Sequence, residues 1–467
     1  MRAISLVNRL EFDFGGNVLR NAITLRDVDN DGNYELIVGN EKGEVVIFKG
    51  KEKWQTINNL GFVCCLAVGD IFNQNRNSLV IITGDGWCHI YDSPESRNTT
   101  ESVDTVDGQI LSGESYESYT SDSLTAKSSR RRNINKKHLQ RVHVQRIPAN
   151  TKYILLDDID GDGCIEMVLG LTDRVIRSYR WFDPFHPNKA VINVPNTKIR
   201  TADCKLIGLN KWECAKQIGS VTLHHDNENR PSLLIAQPGG TFMRIRYQHD
   251  DNGEMSDSSN SQSEYLTGSF IDYQFLGLSR MRNHNISTEI VGNLKTKKGD
   301  CKEFPYAVAT LDGTIMLVQD EIILWEIAVD HQVFALTKLD VTGDGTDDLV
   351  ACSWDGNTYI LDQEKHSVQF QLGESVQAFD TGFYNLVAGE IPVTCFVYVT
   401  FRNSVLLYYD IPLKEMICRK FTVDLERIKD VFASENAEER DTMVATLSNN
   451  ENDKRRLVEY LLYGVHM

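Results

Sequence analysis

The sequence lacks any long apolar segment. No run of about 18 apolar residues occurs among its 467 residues, and the N-terminal stretch MRAISLVNRLEFDFGG has no apolar core followed by a small-residue cleavage site. A membrane-spanning helix needs such a run, and a secretory signal peptide needs such a core. The two absences predict a cytoplasmic chain without a transmembrane segment.

Paired cysteine spacings are also missing. Ten cysteines are present and none forms a CxxC pair; most stand alone in apolar, strand-like stretches, as do Cys88, Cys164, Cys352 and Cys395. Zinc sites and disulfide frameworks both depend on recurrent cysteine spacings, and disulfides also need an oxidising compartment. We therefore expect reduced thiols that belong to the core.

Positive charge is scarce. Lys and Arg number 49 against 66 Asp and Glu, which gives a formal net charge of −17 and a pI near 5.2. A domain that binds nucleic acid mainly neutralises phosphates and needs the opposite balance. The composition predicts no nucleic-acid partner.

Sequence signatures of catalysis are absent too. No GxSxG, HExxH or P-loop occurs, and the eleven histidines show no ligand spacing. No nucleophile is therefore placed beside a base by any recognisable motif. We expect a chain that is not an enzyme and that requires no cofactor.

An internal repeat is present instead. Three segments align residue for residue: LRDVDNDGNYELIVGNEKGEVVIF from Leu25, LDDIDGDGCIEMVLGLTDRVIRSY from Leu156, and KLDVTGDGTDDLVACSWDGNTYIL from Lys338. The hairpin turn in the second half of this unit recurs seven times, at Gly43, Gly86, Asp173, Gly240, Gly313, Gly356 and Asn403. Glycine and asparagine tolerate the positive φ that two-residue hairpin loops require.

The spacing of these turns indicates the fold. Where no insertion intervenes they lie about 43 residues apart, close to the length of a four-stranded propeller blade. Two Ser-rich stretches, 93–147 and 248–268, are predicted to be disordered insertions, the first emerging between the second and third blades. The sequence thus predicts an all-β, seven-bladed β-propeller over 1–410, followed by a short helical tail over 411–467.

A closed ring needs an outer strand for its last blade, because an unpaired sheet edge is a site of aggregation. Two segments are candidates for this strand. One is the N-terminal run from Ile4 to Phe14, and the other is the run from Met416 to Phe421. The sequence leaves both open.

The acidic loops of the repeat resemble a cage for a hard cation. Positions 1, 3, 5 and 9 of DxDxDGxxE are Asp27, Asp29, Asp31 and Glu35 in the first copy, and Asp158, Asp160, Asp162 and Glu166 in the second. Alternating oxygen ligands around a sharp glycine turn suit Ca²⁺. The alternative is that these carboxylates accept hydrogen bonds from backbone N–H groups in Asx turns. Any calcium here is predicted to be structural.

Two regions outside the ring each allow more than one interpretation. The basic block SSRRRNINKKHLQR, within 93–147, could be a nuclear signal, a phosphorylation context, a lipid anchor or a solvated linker. In the tail, Leu425, Ile428, Val431 and Phe432 fall on one helical face. Such helices either pack on the rim of the propeller or dock a partner.

The acidic loops resemble FG-GAP repeats, the blades of integrin α-subunits. The stretches IPANTKYILLDDIDGDGCIEMVLGLTDRVIRSYRW, VDHQVFALTKLDVTGDGTDDLVACSWDGNTYILD and VYVTFRNSVLLYY, starting at Ile147, Val329 and Val397, are similar to a narrower family. This is the integrin-alpha FG-GAP repeat-containing protein 2 family, whose members are subunits of the KICSTOR complex.

The resemblance implies a non-catalytic scaffold that pairs with a second propeller of the kaptin type and joins the SZT-type and other KICSTOR subunits. It further implies that the complex holds GATOR1 at the lysosomal surface and so restrains TORC1 signalling when amino acids or glucose are lacking. The protein would then be cytoplasmic and peripheral at the lysosomal membrane. The alternative is a calcium-binding FG-GAP adhesion propeller at the cell surface.

Overall fold

Apolar strands separated by tight turns form the whole of the described ring. The predicted hairpin turns all connect the second and third strands of a blade. Their residues with positive φ are Gly43, Gly86, Arg174, Gly239, Gly240, Gly313, Gly356 and Asn403. Six of these are the residues that the sequence predicts; in the third blade the left-handed residue is Arg174 instead of its neighbour Asp173.

The computed structural model describes residues 1–94, 138–184, 204–247, 269–276, 285–296, 304–319, 321–411 and 413, together with Asn452, Arg455 and Arg456. Contacts divide the chain into two units, Met1–Met416 and Ile417–Met467. In the second unit the three described residues are helical. Ile411 and Leu413, at the start of the predicted tail, are described; they are buried and not helical. The rest of the predicted tail, including Met416 to Phe421, lies outside the described residues.

The strands fall into seven consecutive groups. The first three blades contain β3 (Ile23–Arg26), β4 (Glu35–Gly39), β5 (Val45–Lys49) and β6 (Glu52–Ile57); β7 (Val63–Gly69), β8 (Ser78–Thr83), β9 (Trp87–Asp92) and β10 (Gln140–Arg146); and β11 (Thr151–Asp157), β12 (Glu166–Leu171), β13 (Val175–Phe182) and β14 (Lys205–Glu213).

Blades four and five contain β15 (Val221–His225), β16 (Pro231–Gln237), β17 (Thr241–Tyr247) and β18 (Ser269–Phe275); and β19 (Thr288–Val291), β20 (Tyr306–Thr310), β21 (Thr314–Gln319) and β22 (Ile322–Ala328). Blades six and seven contain β23 (Val333–Leu339), β24 (Asp348–Ser353), β25 (Asn357–Leu361) and β26 (Ser367–Gln371), with β1 (Arg2–Ile4); and β27 (Val376–Tyr384), β28 (Val393–Thr400) and β29 (Val405–Tyr409), with β2 (Arg9–Phe12).

Within each group the strands pair antiparallel and follow one another in chain order from the inside of the ring to the outside, except that β1 and β2 add at the outer edges of the last two sheets. The first strand of every blade contacts the first strand of the next, and β27 of the seventh blade contacts β3 of the first. These contacts close a circle of seven sheets. The predicted seven-bladed β-propeller is therefore confirmed.

The core lies between neighbouring blades. The second strands, such as β8 with the sequence SLVIIT and β24 with DLVACS, are buried along their whole length because both of their faces are covered by sheets. One cluster of buried apolar side chains joins the second and third blades, another joins the third and fourth, and a third joins the sixth and seventh. Burial between blades thus holds the ring together without a central hydrophobic core.

The N-terminus closes the ring. Strand β2 pairs antiparallel with β29 and becomes the outer strand of the seventh blade, as the first of the two predicted candidates requires. Phe12 is buried there, and its ring lies 4.6 Å from that of Phe48 and 6.2 Å from that of Tyr384, measured between centroids. The aromatic contacts anchor the closing strand to both the first and the seventh blade.

A second closing strand was not predicted. Strand β1 pairs parallel with β26, so that Ala3 lies opposite Gln369 at the outer edge of the sixth blade. The sixth sheet consequently has five strands. The first dozen residues therefore cover the outer edges of two adjacent blades.

The position and upper bound predicted for the first insertion are wrong. Residues Gln140–Arg146, predicted to belong to the insertion 93–147, form the outer strand of the second blade. The insertion thus lies within the second blade, between its third strand β9 and its fourth strand β10. The stretch 248–268 likewise separates the third and fourth strands of blade four. Residues 95–137 and 248–268 lie outside the described residues.

The outer edges of blades four and five differ from the others. Strands β18 and β22 expose apolar side chains, namely Phe270, Ile271, Tyr273, Phe275, Ile322 and Leu324. A hydrogen bond of 2.7 Å joins Gln274, on β18, to Glu321, the residue before β22. In contrast, the outer strand of the first blade exposes Glu52 and Lys53. Charged edges protect a sheet from pairing with other chains, and the exposed side chains of β18 and β22 are mostly apolar.

Eight cysteines lie within the described residues, and six of them are buried. They include Cys88, Cys352 and Cys395, as the sequence predicts, whereas Cys164 lies partly exposed in the third-blade loop. Among the helical residues that the structure describes, no helix is long and apolar enough to cross a membrane.

Candidate functional site

The acidic loops all lie at the same position in their blades. Residues 27–34 connect β3 to β4, and the loops 70–77, 158–165 and 340–347 make the same connection in blades two, three and six. Because every one joins the innermost strand to the second strand, the four loops lie on one face of the ring. The carboxylates predicted to bind calcium belong to the first and third blades.

The first carboxylate of each loop binds backbone N–H groups. The Oδ2 atoms of Asp27, Asp70, Asp158 and Asp340 accept hydrogen bonds from the amides of Gly32, Asn75, Gly163 and Gly345 at 3.0, 2.6, 2.8 and 2.9 Å. These contacts are the Asx-type turns expected as the alternative to a metal site. The first carboxylate therefore shapes the loop in all four blades.

The ninth position is a buried carboxylate in blades one and three. Glu35 and Glu166 have no exposed surface, and their Oε2 atoms accept hydrogen bonds from Val28 and Ile159 N–H at 2.9 and 3.1 Å. Burial raises the pKa of each glutamate to about 8, because the charged form has lost its water. The N–H donors and the nearby basic side chains oppose that rise.

In the first blade Lys49 lies among the carboxylates. Its Nζ is 2.6 Å from Asp29 Oδ2, 2.8 Å from Asp31 Oδ2 and 3.2 Å from Glu35 Oε1. Burial alone would lower the pKa of Lys49, but its hydrogen bonds to the two aspartates outweigh burial and raise it. Lys49 is the last residue of β5, so the third strand of the blade supplies this cation.

In the third blade Arg180 takes the same place. Its Nε donates to Glu166 Oε1 at 2.5 Å, while Nη1 lies 2.7 Å from Asp162 Oδ2 and Nη2 lies 3.1 Å from Asp160 Oδ2. The attraction of these carboxylates raises the pKa of Arg180 against the effect of burial. Burial in turn raises the pKa of Asp160 to about 6, although Arg180 opposes this.

The structure thus brings together all eight predicted ligands, four in each of the two blades. Asp27, Asp29 and Glu35 each offer a carboxylate oxygen within 4.8 Å of the others, and so do Asp158, Asp160 and Glu166. Asp31 and Asp162 join them through Lys49 and Arg180. The first aspartate of each loop also accepts a hydrogen bond from the loop backbone. Sequence reasoning missed Lys49 and Arg180. The available signal was their spacing, since each follows the first aspartate of its loop by 22 residues.

The donor set does not fit an added calcium ion in this arrangement. Calcium needs six to eight oxygen ligands at about 2.3–2.6 Å. The space between the carboxylates of blade one is taken by the Lys49 ammonium, and that of blade three by the Arg180 guanidinium. Calcium at these loops remains an untested prediction.

The same loops connect neighbouring blades. Asn30, at the fourth position of the first loop, exchanges two hydrogen bonds with the backbone of Asn77 in the second loop, at 3.0 and 2.7 Å. Asn73, at the fourth position of the second loop, makes the corresponding pair with Ile165 in the third loop, at 3.3 and 2.5 Å. Both asparagines have positive φ, which points their side chains at the next blade. The loops therefore link blades one, two and three to one another by hydrogen bonds.

A cavity of about 730 Å³ lies on the axis of the ring. It is lined by residues of the innermost strands of six blades, among them Ile23, Tyr153, Val221, Glu289, Leu336 and Phe379. Arg20 enters it from the segment before the first blade and forms an ion pair with Glu289 at 2.6 Å. Its guanidinium also lies 6.0 Å from the ring centre of Tyr153 and 5.7 Å from that of Phe334. The described lining residues include neither histidine nor cysteine.

Seven sheets of four or five strands in a closed ring, with DxDxDGxxE loops on one face, define a β-propeller of the FG-GAP repeat class. The family model for integrin-alpha FG-GAP repeat-containing protein 2 matches residues 48–413. The chain belongs to this family. The predicted resemblance is therefore confirmed.

Two curated relatives extend the comparison. A mouse protein, described as KICSTOR complex protein ITFG2, is 34% identical over 428 residues, covering 89% of this chain and 87% of the relative. A bovine protein of the same description is 31% identical over 430 residues, covering 89% of this chain and 73% of the relative. The similarity thus spans nearly the whole propeller.

Among solved structures, the crystal structure of BBS1N in complex with ARL6DN, soaked with lead, matches with a TM-score of 0.53 and 11% identity. The match covers 89% of this chain and 99% of that one. At so low an identity it shows a shared propeller fold and nothing about function.

Proposed function

We propose that the protein is a non-catalytic scaffold subunit of a KICSTOR complex. The observation that carries the proposal is the 34% identity to the mouse KICSTOR complex protein over 89% of this chain. The relative is covered to 87% of its own length, so the similarity concerns most of both chains. Shared membership of the same assembly is the simplest consequence.

The ionisable groups in the channel support a role without catalysis. Arg20 is paired with Glu289, and Lys338 donates to the carbonyl oxygen of Gly292 at 2.9 Å while lying 3.7 Å from Asp347. A general acid or base must be able to reach a substrate proton in the correct protonation state. These groups are instead engaged with each other and with the backbone, as expected of groups that hold a ring together.

An interaction role also agrees with the exposed edges of blades four and five. Phe270, Tyr273 and Phe275 on β18 and Ile322 and Leu324 on β22 are each at least half exposed. Large exposed apolar patches on soluble proteins usually mark sites of contact with other molecules. The ring thus has surface available for assembly.

Within the assembly the protein pairs with a second, kaptin-like propeller and joins the SZT-type and other KICSTOR subunits. Through that complex it helps to hold GATOR1 at the lysosomal surface, and it restrains TORC1 signalling when amino acids or glucose are withdrawn. On this proposal it is a cytoplasmic protein that reaches the lysosomal membrane through its partners. The support is the family membership of the chain.

Affinity capture of the tagged full-length chain from cells, followed by mass spectrometry, tests the assembly. We expect a kaptin-like propeller and an SZT-type subunit in amounts comparable to the bait. An unrelated acidic propeller with the same tag is the matched control, because a chain of net charge −17 collects basic contaminants. Washing at physiological salt removes most of these. Capture without a kaptin-like propeller would contradict the proposal.

A second experiment tests the signalling role. Cells that lack the protein should keep TORC1 active after amino acids are removed, and the reintroduced full chain should restore the normal fall in activity. The readout is phosphorylation of a TORC1 substrate before and after starvation. A normal response in cells without the protein would contradict the regulatory part of the proposal while leaving complex membership intact.

A further inference from the structure

Two basic residues occupy equivalent places in different blades. Lys49 follows Asp27 by 22 residues, and Arg180 follows Asp158 by the same number. Both lie on the third strand of their blade, at the end nearest the acidic loop. The repeat therefore places a basic side chain beside its own loop twice, with different chemistry each time.

Each basic side chain contacts the same three loop positions. Lys49 lies within 3.2 Å of the carboxylates at positions three, five and nine of the first loop. Arg180 makes the corresponding contacts in the third blade, with 3.1 Å the longest of them. The side chains of Lys49 and Arg180 are only 24% and 9% exposed, so water screens these contacts weakly.

The other two loops lack both the carboxylate at position three and the basic residue. In blade six, position three is Thr342 and the residue 22 positions after Asp340 is Asp362. In blade two, position three is Phe72 and the corresponding residue is Asp92. The basic residue thus occurs only in the blades that carry all four carboxylates. Such a pattern within one chain is what charge compensation requires.

A divalent ion and the basic side chain would compete for one space. Three of the four carboxylates that a calcium ion would use already have an oxygen 2.6–3.2 Å from the Lys49 nitrogen. Two cations in that space would repel each other strongly, since the surroundings are largely buried. The first aspartate lies within 4.8 Å of the Asp29 and Glu35 ligand atoms, and its two oxygens already accept Asp31 and Gly32 N–H at 3.2 and 3.0 Å.

We propose that Lys49 and Arg180 are built-in substitutes for a calcium ion, so that the acidic loops of the first and third blades are neutralised by the chain itself and bind no metal. The loops then keep the conformation that forms hydrogen bonds to neighbouring blades at any calcium concentration. This inference does not depend on membership of the complex, because it concerns how two blades are stabilised.

Counting bound calcium in the full-length protein tests the proposal. Equilibrium dialysis is performed on the wild type, Asp29→Asn and Asp160→Asn in millimolar calcium. Asparagine keeps the shape of the side chain and removes one charged ligand. We expect the number of ions per chain to be the same in all three proteins. Loss of one ion in either variant would overturn the proposal for that blade.

The basic residues supply a complementary test by thermal unfolding. In chelator, Lys49→Ala and Arg180→Ala should each lower the melting temperature by about 5–10 °C, because the aspartates around the basic side chain lose their counter-charge and the buried glutamate loses a hydrogen-bonding or ion-pair partner. Calcium should recover part of that loss in the variants, since the vacated space is lined by oxygens. Arg180→Lys should melt between Arg180→Ala and the wild type, because it keeps the charge with fewer donors.

Lys53→Ala is the matched control, because Lys53 lies on the next strand and pairs with Asp13, whose side chain is 99% exposed. It should melt like the wild type in both solutions. Equal melting temperatures for Lys49→Ala and wild type in chelator would overturn the substitute role of Lys49. If a variant does not fold, the calcium count of the asparagine variants still decides the question.

Discussion

Arg20 and Glu289 are separated by 269 positions in the sequence, yet their side chains form a two-point ion pair on the axis of the ring, at 2.7 and 2.6 Å. Arg20 belongs to the segment that leads from the closing strand into the first blade, and Glu289 lies on the innermost strand of the fifth. Tyr153, of the third blade, adds a contact of 3.4 Å from its hydroxyl to Glu289. The pair therefore ties the N-terminal segment to the far side of the ring.

We expect Glu289→Gln to lower the melting temperature by about 4–8 °C, because it leaves Arg20 without its counter-charge in a cavity where water is limited. Glu289 is 4% exposed, so the pair is only weakly screened. Differential scanning calorimetry provides the measurement.

Two further variants separate the pair from the packing around it. The melting temperature of the double variant Arg20→Met with Glu289→Gln should fall by less than the sum of the two single decreases, because neither partner is then left as an uncompensated charge. Lys53→Ala, which breaks an exposed pair with Asp13, should show no measurable change. Additive losses in the double variant would contradict direct coupling between Arg20 and Glu289.

The closing strand gives a second prediction. Phe12 is 5% exposed and packs against the rings of Phe48 and Tyr384. Phe12→Ala should lower the free energy of unfolding by about 3–5 kcal/mol, because it leaves a cavity between the first and last blades. Val7→Ala, at a site 84% exposed, should be neutral. Urea unfolding followed by tryptophan fluorescence measures both, and a neutral Phe12→Ala would show that the ring closes without this anchor.

Much of the ring could be predicted from local sequence signals. Period-two apolar runs and residues that accept positive φ are local features, and they located all seven hairpin turns, from Gly43 to Asn403. Local signals could not identify the closing strand, because Arg9–Phe12 pairs with Val405–Tyr409 at the other end of the ring. The outer strand Gln140–Arg146 was missed because a long, polar insertion separates it from its blade.

The acidic loops show where sequence reasoning about a site reached its limit. The spacing of Asp29, Asp31 and Glu35 predicted that their carboxylates converge, and they do. What the loop alone could not indicate was the identity of the central cation, because Lys49 comes from a different strand. Aligning the repeats beyond the loop, as far as Arg180, would have shown it. The pairing of Arg20 with Glu289 has no comparable repeat and follows only from ring closure.

A third prediction concerns close approach between blades. A Cβ added to Gly219 would lie 1.9 Å from the carbonyl oxygen of Thr288, on the innermost strand of the fifth blade. Gly219→Ala should therefore push blades four and five apart and lower the melting temperature by about 5 °C or more. Gly15→Ala is the matched control, since a Cβ there meets nothing within 4 Å. Equal melting temperatures for the two variants would show that the blades can separate at little cost.

The last prediction is a dependence on pH that arises in the channel wall. Asp380 lies on β27 and lines the axial cavity, where its Oδ1 accepts a hydrogen bond of 2.9 Å from Thr381 N–H. Burial raises the pKa of Asp380 to about 6, although that hydrogen bond and the charge of Arg26 oppose the rise. The folded protein thus holds this proton more tightly than the unfolded chain does. The stability that Asp380 contributes is full below about pH 4 and is lost as the pH rises through about 6.

Asp380→Asn stays neutral at every pH and can still accept the hydrogen bond from Thr381. Its melting temperature should therefore exceed that of the wild type by about 2–4 °C at pH 8, and the difference should shrink at pH 5, where the wild-type carboxyl is largely protonated. Asp13→Asn, at a side chain 99% exposed, is the matched control and should melt like the wild type. A difference for Asp380→Asn that is the same at pH 5 and pH 8 would mean that the carboxyl titrates alike in the folded and unfolded chains, because only an unequal pKa couples protonation to folding.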